Sequence, residues 1–497
     1  MKLIVTTTLC LLAVFGSACE SQTDFEKTQA TVDQQTIKDH IYFLASDELR
    51  GRDTGSPEIL EAAAYIEKEL KSYGAEPVPG AQGYFQPVPL RKKSPATSAS
   101  LTYAGQSFDL NTDFLVVEGE SSEVQGEVIY LEYGLAADYE NKSVEGKIVF
   151  AKAGNGEVSD RRAILSLSRE KYEMARKNGA AGLVEFYNSP ATPWGQLGFI
   201  FNRVGLSLDS FDNDQPIIPH LWLKDLDNAN QRFMMTRSIK QAQISIEGMV
   251  NEMTADKNIL AMVEGTDPEL KDEYIMFSAH YDHVGVGRPN EEGDSIYNGT
   301  RDNAIGTVTV LSSAENIAKY PLKRSALFVL FTGEEKGLLG SRYLADHPII
   351  PNEDIVFAWN SDNGGYNDTT ISTIIGLERT TAAPMIKEAN IAFGLTAIDD
   401  PAGEQGLFDR SDNVSFAKKG IPAPTYSLGF QAFDAEIMKY YHQPGDNPNT
   451  VDYDYLEKFF KSYVYASRLI GNAPEKPFWT EGDKYYEVGK ALYESKK

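Results

Sequence analysis

The chain has 497 residues, of which 42% are hydrophobic and 24% charged, and carries a formal net charge of −25. That length calls for about two or three domains, and the composition is that of an ordinary globular protein, neither disordered nor built of many membrane spans. So acidic a balance excludes a nucleic-acid binder, which needs a basic face against phosphate, and reads as a solvated acidic surface.

At the start, Lys2 precedes an apolar stretch over residues 3–15 that is short for a bilayer span and suited to a signal segment. Gly16, Ser17 and Ala18 then lead to Cys19. This pattern predicts export, with a signal peptide at 1–18 and a polar tether at 19–36. The protein is expected as a lipoprotein of the bacterial periplasm or outer membrane, acylated at Cys19, or, with plain cleavage after Ala18, as a secreted one. Its 2 cysteines are Cys10 and Cys19, so the mature body is expected to lack disulfides, a thiol nucleophile and zinc–cysteine sites. A metal site would have to use histidine and carboxylates.

Residues 37–90 read as helical. Ser56 is a plausible N-cap for a helix that puts Ile59, Ala63, Ile66 and Leu70 on one face. Residues 37–112 are expected to pack onto the later sheet. From 113 to 252 the pattern changes to short β-branched runs and turns such as "GEVIYLEYG" and "GKIVFAKAG", which predict a smaller β-rich inserted domain. From 253 to 497 the runs "NILAMVEG", "EYIMFSAHYDH", "SALFVLFTGEE" and "DIVFAWNSD" alternate with amphipathic helical stretches. Alternation of this kind predicts an α/β domain whose mixed, largely parallel sheet has helices on both faces.

Metal-competent side chains fall where such a sheet places its sites. His280 and Asp282 follow one apolar run, Glu334 and Glu335 another, and Asp362 a third, so all five stand at the carboxyl ends of predicted strands. Asp302 opens a helix, and His442 lies in the turn-rich "YYHQPGDN". Imidazole and carboxylate suit zinc, and one aspartate can bridge two ions, leaving each a histidine and a further carboxylate. Of the adjacent glutamates, one can face a metal while the other serves as general base. Asp282 is placed to orient the His280 imidazole. His40, His220, His283 and His347 lack such context and read as structural or surface residues. "GVG" at 285–287 lacks the third glycine of a dinucleotide loop, and no nucleophile elbow or Walker lysine is present.

The blocks "SAHYDHVG", "GTRDNAIGT", "GEEKGLLGSR", "NSDNGG" and "YYHQPGDN" resemble those of the two-zinc aminopeptidase and glutamate carboxypeptidase family of metallopeptidases. "LASDELRGRDTGSPE" resembles that family's N-terminal segment, and "VEGKIVFAKAG" with "ARKNGAAGLVEF" its inserted protease-associated domain. The resemblance implies two zinc ions. His280 and Asp362 would hold one, Glu335 and His442 the other, and Asp302 would bridge them. It further implies Glu334 as base and proton shuttle, a cis bond between Asp302 and Asn303, and Tyr426 as a hydrogen-bond donor to the oxyanion. Thr300, Arg301, Ile305, Asn413, Ser361 and Asn363 depart from the family pattern around these positions, which bears on specificity.

The expected activity is hydrolysis at the N-terminus of peptides with a free amine. The alternatives are a carboxypeptidase or dipeptidase of the glutamate-releasing type, for which Arg301 and Arg410 are candidate carboxylate binders, a glutaminyl cyclase, and a metal-free binding scaffold.

Overall fold

The protein is described by a computed structural model that covers residues 22–157, 161–189, 192–209, 215–237 and 240–494. The signal segment and Cys19 lie outside the described residues. Among these, no helix is long and apolar enough to cross a membrane.

Among the described residues nine strands form the larger sheet, in the spatial order Thr396–Asp399, Ile371–Ile375, Thr425–Leu428, Ile355–Ser361, Tyr274–His280, Ser325–Phe331, Val250–Val263, Phe85–Ser94 and Gly205–Leu208. Its centre is parallel: Tyr274–His280 runs alongside both Ser325–Phe331 and Ile355–Ser361, which in turn flanks Thr425–Leu428. Every residue of Ser325–Phe331 and Ile355–Ser361 is buried. Strands covered on both faces read as unbroken apolar runs rather than alternating ones. The outer pairs are mostly antiparallel, so the sheet is mixed overall.

One face is covered by helices Gln34–Leu44, Pro57–Tyr73, Ile305–Lys319, Ala383–Ala392 and Tyr453–Asn472, the other by Leu339–Asp346 and Asn413–Ala417. Pro57–Tyr73 starts where the pattern places it. The Ser56 hydroxyl accepts from the Ile59 N–H, and Ile59, Ala63, Ile66 and Leu70 are fully buried.

The segment expected as a tether is instead folded from Thr23 onward. A capping box of Thr23 and Glu26 opens a short helix, Asp24–Gln29, whose Asp24 pairs with Arg468 at 2.8 Å. Phe25 stacks on Phe393 at 5.0 Å, and Thr28 and Val32 are buried. The polar look of 20–37 concealed a few well-spaced anchors.

The helical reading of 37–90 also ends early, because Phe85–Ser94 is a strand paired with Val250–Val263. Pro87 and Pro89 lie where that strand has a strand partner on one side only, since its second partner, Gly205–Leu208, pairs with Leu90 to Lys93. Proline is tolerated there because no ladder donor is lost.

The second sheet has eight described strands in the order Gln106–Asp109, Ser98–Tyr103, Gln241–Glu247, Ser122–Tyr130, Ile148–Lys152, Gly182–Tyr187, His220–Lys224 and Phe114–Glu118. It starts at Ser98, ahead of residue 113. Val250–Val263 and Gly205–Leu208 both belong to the larger sheet, so the stretch expected as a separate β-rich domain also lends a strand to the larger sheet. Helix Arg161–Lys177 packs on the second sheet through Tyr172 and Ala175.

Candidate metal centre

His280 is the last residue of its strand, and its buried ring is held from behind. Its Nδ1 lies 3.1 Å from the Asp282 carbonyl oxygen. A carbonyl only accepts, so Nδ1 carries the proton and Nε2 presents its lone pair forward, as metal-ligating histidines do. Nε2 is 3.3 Å from Asp302 Oδ1 and 3.3 Å from Asp362 Oδ1. Asp282 thus orients the ring through its backbone. Its carboxylate, 3.6 Å from Nδ1, accepts from the N–H groups of Glu334 at 3.1 Å and Glu335 at 3.3 Å and from the Thr54 hydroxyl at 2.8 Å. It fixes the turn that presents the two glutamates.

Asp302 sits in a distorted turn between Gly299 and helix Ile305–Lys319. Its peptide bond to Asn303 is cis. The Asn303 amide donates to the Ser361 carbonyl at 2.9 Å, which ties this turn to the strand bearing Asp362. On the other side, the buried Asp446 accepts from the Arg301 N–H at 2.8 Å and from its guanidinium at 2.7 Å. Arg301 also lies over the Tyr440 ring at 3.8 Å. It is a strut of the loop and does not line the cavity, so it is withdrawn as a carboxylate binder.

The two oxygens of Asp302 face different ways. Oδ1 faces His280, and Oδ2 lies 3.0 Å from His442 Nε2. His442 Nε2 is in turn 3.2 Å from Glu335 Oε1. Four ligand atoms around a tetrahedral zinc with bonds of about 2.0–2.1 Å stand about 3.3 Å from one another, close to these separations. Two groups of atoms within 4.8 Å of one another result: His280, Asp302 and Asp362, and His283, Asp302, Glu335 and His442. Glu335 Oε1 is buried with no hydrogen-bond partner among the described residues. Orphaned buried acceptors and a mixed imidazole–carboxylate donor set fit a metal ion.

Electrostatics separate the two glutamates. Burial, reinforced by Asp362, Asp412 and Glu335, pushes the Glu334 carboxyl well above its usual range. Burial and Asp302 would also raise Glu335, yet His283 and His442 hold it down to about 2. Burial opposes protonation of His442, but Asp302 and Glu335 lift it to about 10. The two adjacent carboxyl groups are therefore shifted in opposite directions, Glu334 towards its protonated form and Glu335 towards its anion.

A cavity of about 790 Å³ opens over this cluster, lined by Asp302, Glu334, Glu335, Asp362 and His442. Tyr426 is not among the lining residues. Thr425 and Ser427 face the cavity, so strand alternation turns Tyr426 to the other side of the sheet. There it is fully buried against Trp359 and Phe459, and its hydroxyl donates to Asn390 at 3.0 Å. The oxyanion role expected for it is withdrawn. The tyrosine on the cavity wall is Tyr441, stacked on His442 at 4.1 Å. It stands inside the quoted "YYHQPGDN" and could have been found there, as could Asp446.

Arg410 lines the cavity, with Arg342 and Lys418. His40 bonds to Tyr65 and Tyr73, and His220 to Glu185, as structural histidines do. His283, expected with them, instead enters the cluster, its Nδ1 2.9 Å from Glu335 Oε1.

Residues 258–466, the span holding every one of these metal-competent side chains, match the description "Peptidase family M28". Curated relatives agree. The chain is 24% identical over 374 residues to a protein named probable leucine aminopeptidase 2 of Trichophyton verrucosum, covering 72% of this chain and 66% of that protein. It is 25% identical over 306 residues to Aminopeptidase YwaD of Bacillus subtilis, covering 58% of this chain and 57% of that protein. It spans between 54% and 66% of the length of the first curated relatives it matches. Among solved structures, an aminopeptidase from Aneurinibacillus sp. strain AM-1 superposes with a TM-score of 0.51 at 19% identity, over 91% of this chain and 97% of that one. That likeness shows a shared fold.

Proposed function

We propose that this protein is an aminopeptidase dependent on two zinc ions. The observation that carries the reading is the Asp302 carboxylate, whose two oxygens are divided between two histidine–carboxylate groups on the floor of an open cavity. His280, Asp302 and Asp362 would hold one ion, and Asp302, Glu335 and His442 the other. Zinc bound there supplies a Lewis acid for the scissile carbonyl and a water whose pKa falls to about 7. Glu334, poised above its usual range beside the cluster, takes the proton of the attacking water and returns it to the departing amine. Asp282 holds the turn that aims Glu334. Tyr441, on the cavity wall and stacked on His442, would donate to the developing oxyanion.

The acidic floor suits the cationic amino group of a free N-terminus. Ile375, Leu407, Phe430 and Phe433 on the wall suit an apolar side chain. The exposed cations Arg342, Arg410 and Lys418 on the same wall favour a second reading, a carboxypeptidase that grips a terminal carboxylate.

Hydrolysis of matched peptides, free or N-acetylated and free or C-amidated, with and without a chelator, tests both. Chelator-sensitive cleavage that needs the free amine is the expected result. Cleavage that needs the free carboxylate instead would transfer the function to the second reading.

A further inference from the structure

His283 is fully buried, and neither of its ring nitrogens makes a hydrogen bond to any described residue. A buried imidazole left this way is costly, and the other deeply buried histidine of structural character, His220, is satisfied by Glu185 at 2.8 Å. The ring is also unable to turn away. Its backbone N–H donates to the Arg52 carbonyl at 3.2 Å, and Gly299 presses on its face so closely that a Cβ there would come within 2.5 Å of the ring. The His442 ring meets it edge-on at 5.4 Å.

What His283 faces is informative. Its Nδ1 lies 2.9 Å from Glu335 Oε1, yet the two are not aligned as donor and acceptor, and both count as unpartnered. Two buried basic atoms that close, aimed past each other, converge on a common third point. Asp302 and His442 converge there too, with all four ligand atoms within 4.8 Å of one another.

Resting on the two-zinc reading, we propose that His283 is a fourth protein ligand of the ion held by Asp302, Glu335 and His442. That ion then has a closed shell of two imidazoles and two carboxylates, the arrangement of structural zinc. The other ion, with His280, Asp302 and Asp362, has three protein ligands and keeps an open position, the arrangement of catalytic zinc. The two ions divide the work: one anchors the loops and the other meets the substrate.

Zinc content and affinity, measured on the metal-stripped full chain in competition with a chromophoric chelator, give the test. The native chain is expected to bind two ions. His283→Ala is expected to keep one at native affinity and to bind the other at least about 10-fold more weakly. Two ions held by His283→Ala at native affinity would overturn the proposal. A native chain that binds no zinc would instead refute the metallopeptidase reading. Zinc X-ray absorption of the native chain guards against a variant that fails to fold. Three ligating histidines over two ions give about 1.5 imidazoles per zinc, whereas a value of about 1.0 would count against His283.

Discussion

At the scale of single residues, the site distinguishes chemically identical neighbours by what each faces. Glu334 and Glu335 share one turn, but Glu335 points at His442 while Glu334 is raised by burial. Glu334→Gln removes the proton acceptor and leaves both groups of ligands intact. We expect kcat to fall by about 10²–10⁴-fold with zinc content unchanged, and full turnover in this variant would remove Glu334 from the mechanism. The two tyrosines make a sharper comparison, since the resemblance pointed to one and the geometry to the other. Tyr441→Phe should lower kcat by about 10²–10³-fold with little change in KM, as loss of an oxyanion donor does. Tyr426→Phe should leave kcat untouched and cost about 1 kcal/mol of stability through its lost bond to Asn390. A reversed pattern in steady-state kinetics would restore Tyr426 to the site.

At the scale of elements, the second sheet hides a charged cluster that its sequence pattern did not announce. Lys171 on helix Arg161–Lys177 reaches Glu185 at 2.8 Å, and Glu185 also meets His220 at 2.8 Å, with all three side chains essentially inaccessible. Residues such as Lys171 read as solvated positions in a helix rich in charge, and only the packing of that helix on the sheet puts this one inside. Breaking such a pair leaves an uncompensated buried charge, so Lys171→Met should cost about 3–5 kcal/mol, part of it recovered in the double variant with Glu185→Gln. The pH dependence has a definite sign. Burial alone would raise the Glu185 carboxyl, but Lys171 and His220 bring it down from 4.5 to about 2. A depressed carboxylate stabilises the fold above its unfolded value and loses that contribution as pH falls towards the folded one. Calorimetry between pH 4.5 and 2 should show a steep decline in the native chain and a flatter one in Glu185→Gln; parallel curves would mean that the cluster does not govern acid stability. The strands of the larger sheet, by contrast, were legible directly, because residues 326–331 and 355–359 are unbroken apolar runs with Glu334 and Asp362 shortly after them. The short helix Asp24–Gln29 and the proline-bearing strand Phe85–Ser94 were not, since their partners lie more than a hundred residues away.

Over the whole molecule, the site joins distant parts of the chain, and this explains both what the sequence could reveal and how the fold should respond to metal. Residues from 280 to 442 lay at recognisable strand ends and loops, so their convergence followed from topology. The role of Arg52 did not. Its buried guanidinium donates to the carbonyls of Tyr281 at 2.9 Å, Asn298 at 2.7 Å and Gly299 at 3.0 Å, and to that of Leu44, binding the N-terminal helices to the loops that carry His280 and Asp302. No periodicity encodes such a contact, because its acceptors are backbone atoms. The same joining would make the proposed metal centre part of the fold. Asp302, Glu335 and Asp362 crowd into one small volume with Glu334 and Asp412, and burial raises Asp412 to about 7. Without cations this concentration of carboxyl groups opposes closure of the loops. Binding to the native state alone adds about 2.7 kcal/mol per ion at a hundredfold excess over Kd. On the two-zinc proposal, removing the ions should therefore lower Tm by roughly 5 °C or more, since a few kcal/mol shifts the midpoint by that order in chains of this size. Zinc should restore it in a concentration-dependent way, and an N-terminal truncation that removes Arg52 should unfold at the same temperature with or without zinc. A chain whose melting is unchanged by a chelator, despite zinc measured in the untreated sample, would show that the ions sit outside the cooperative fold.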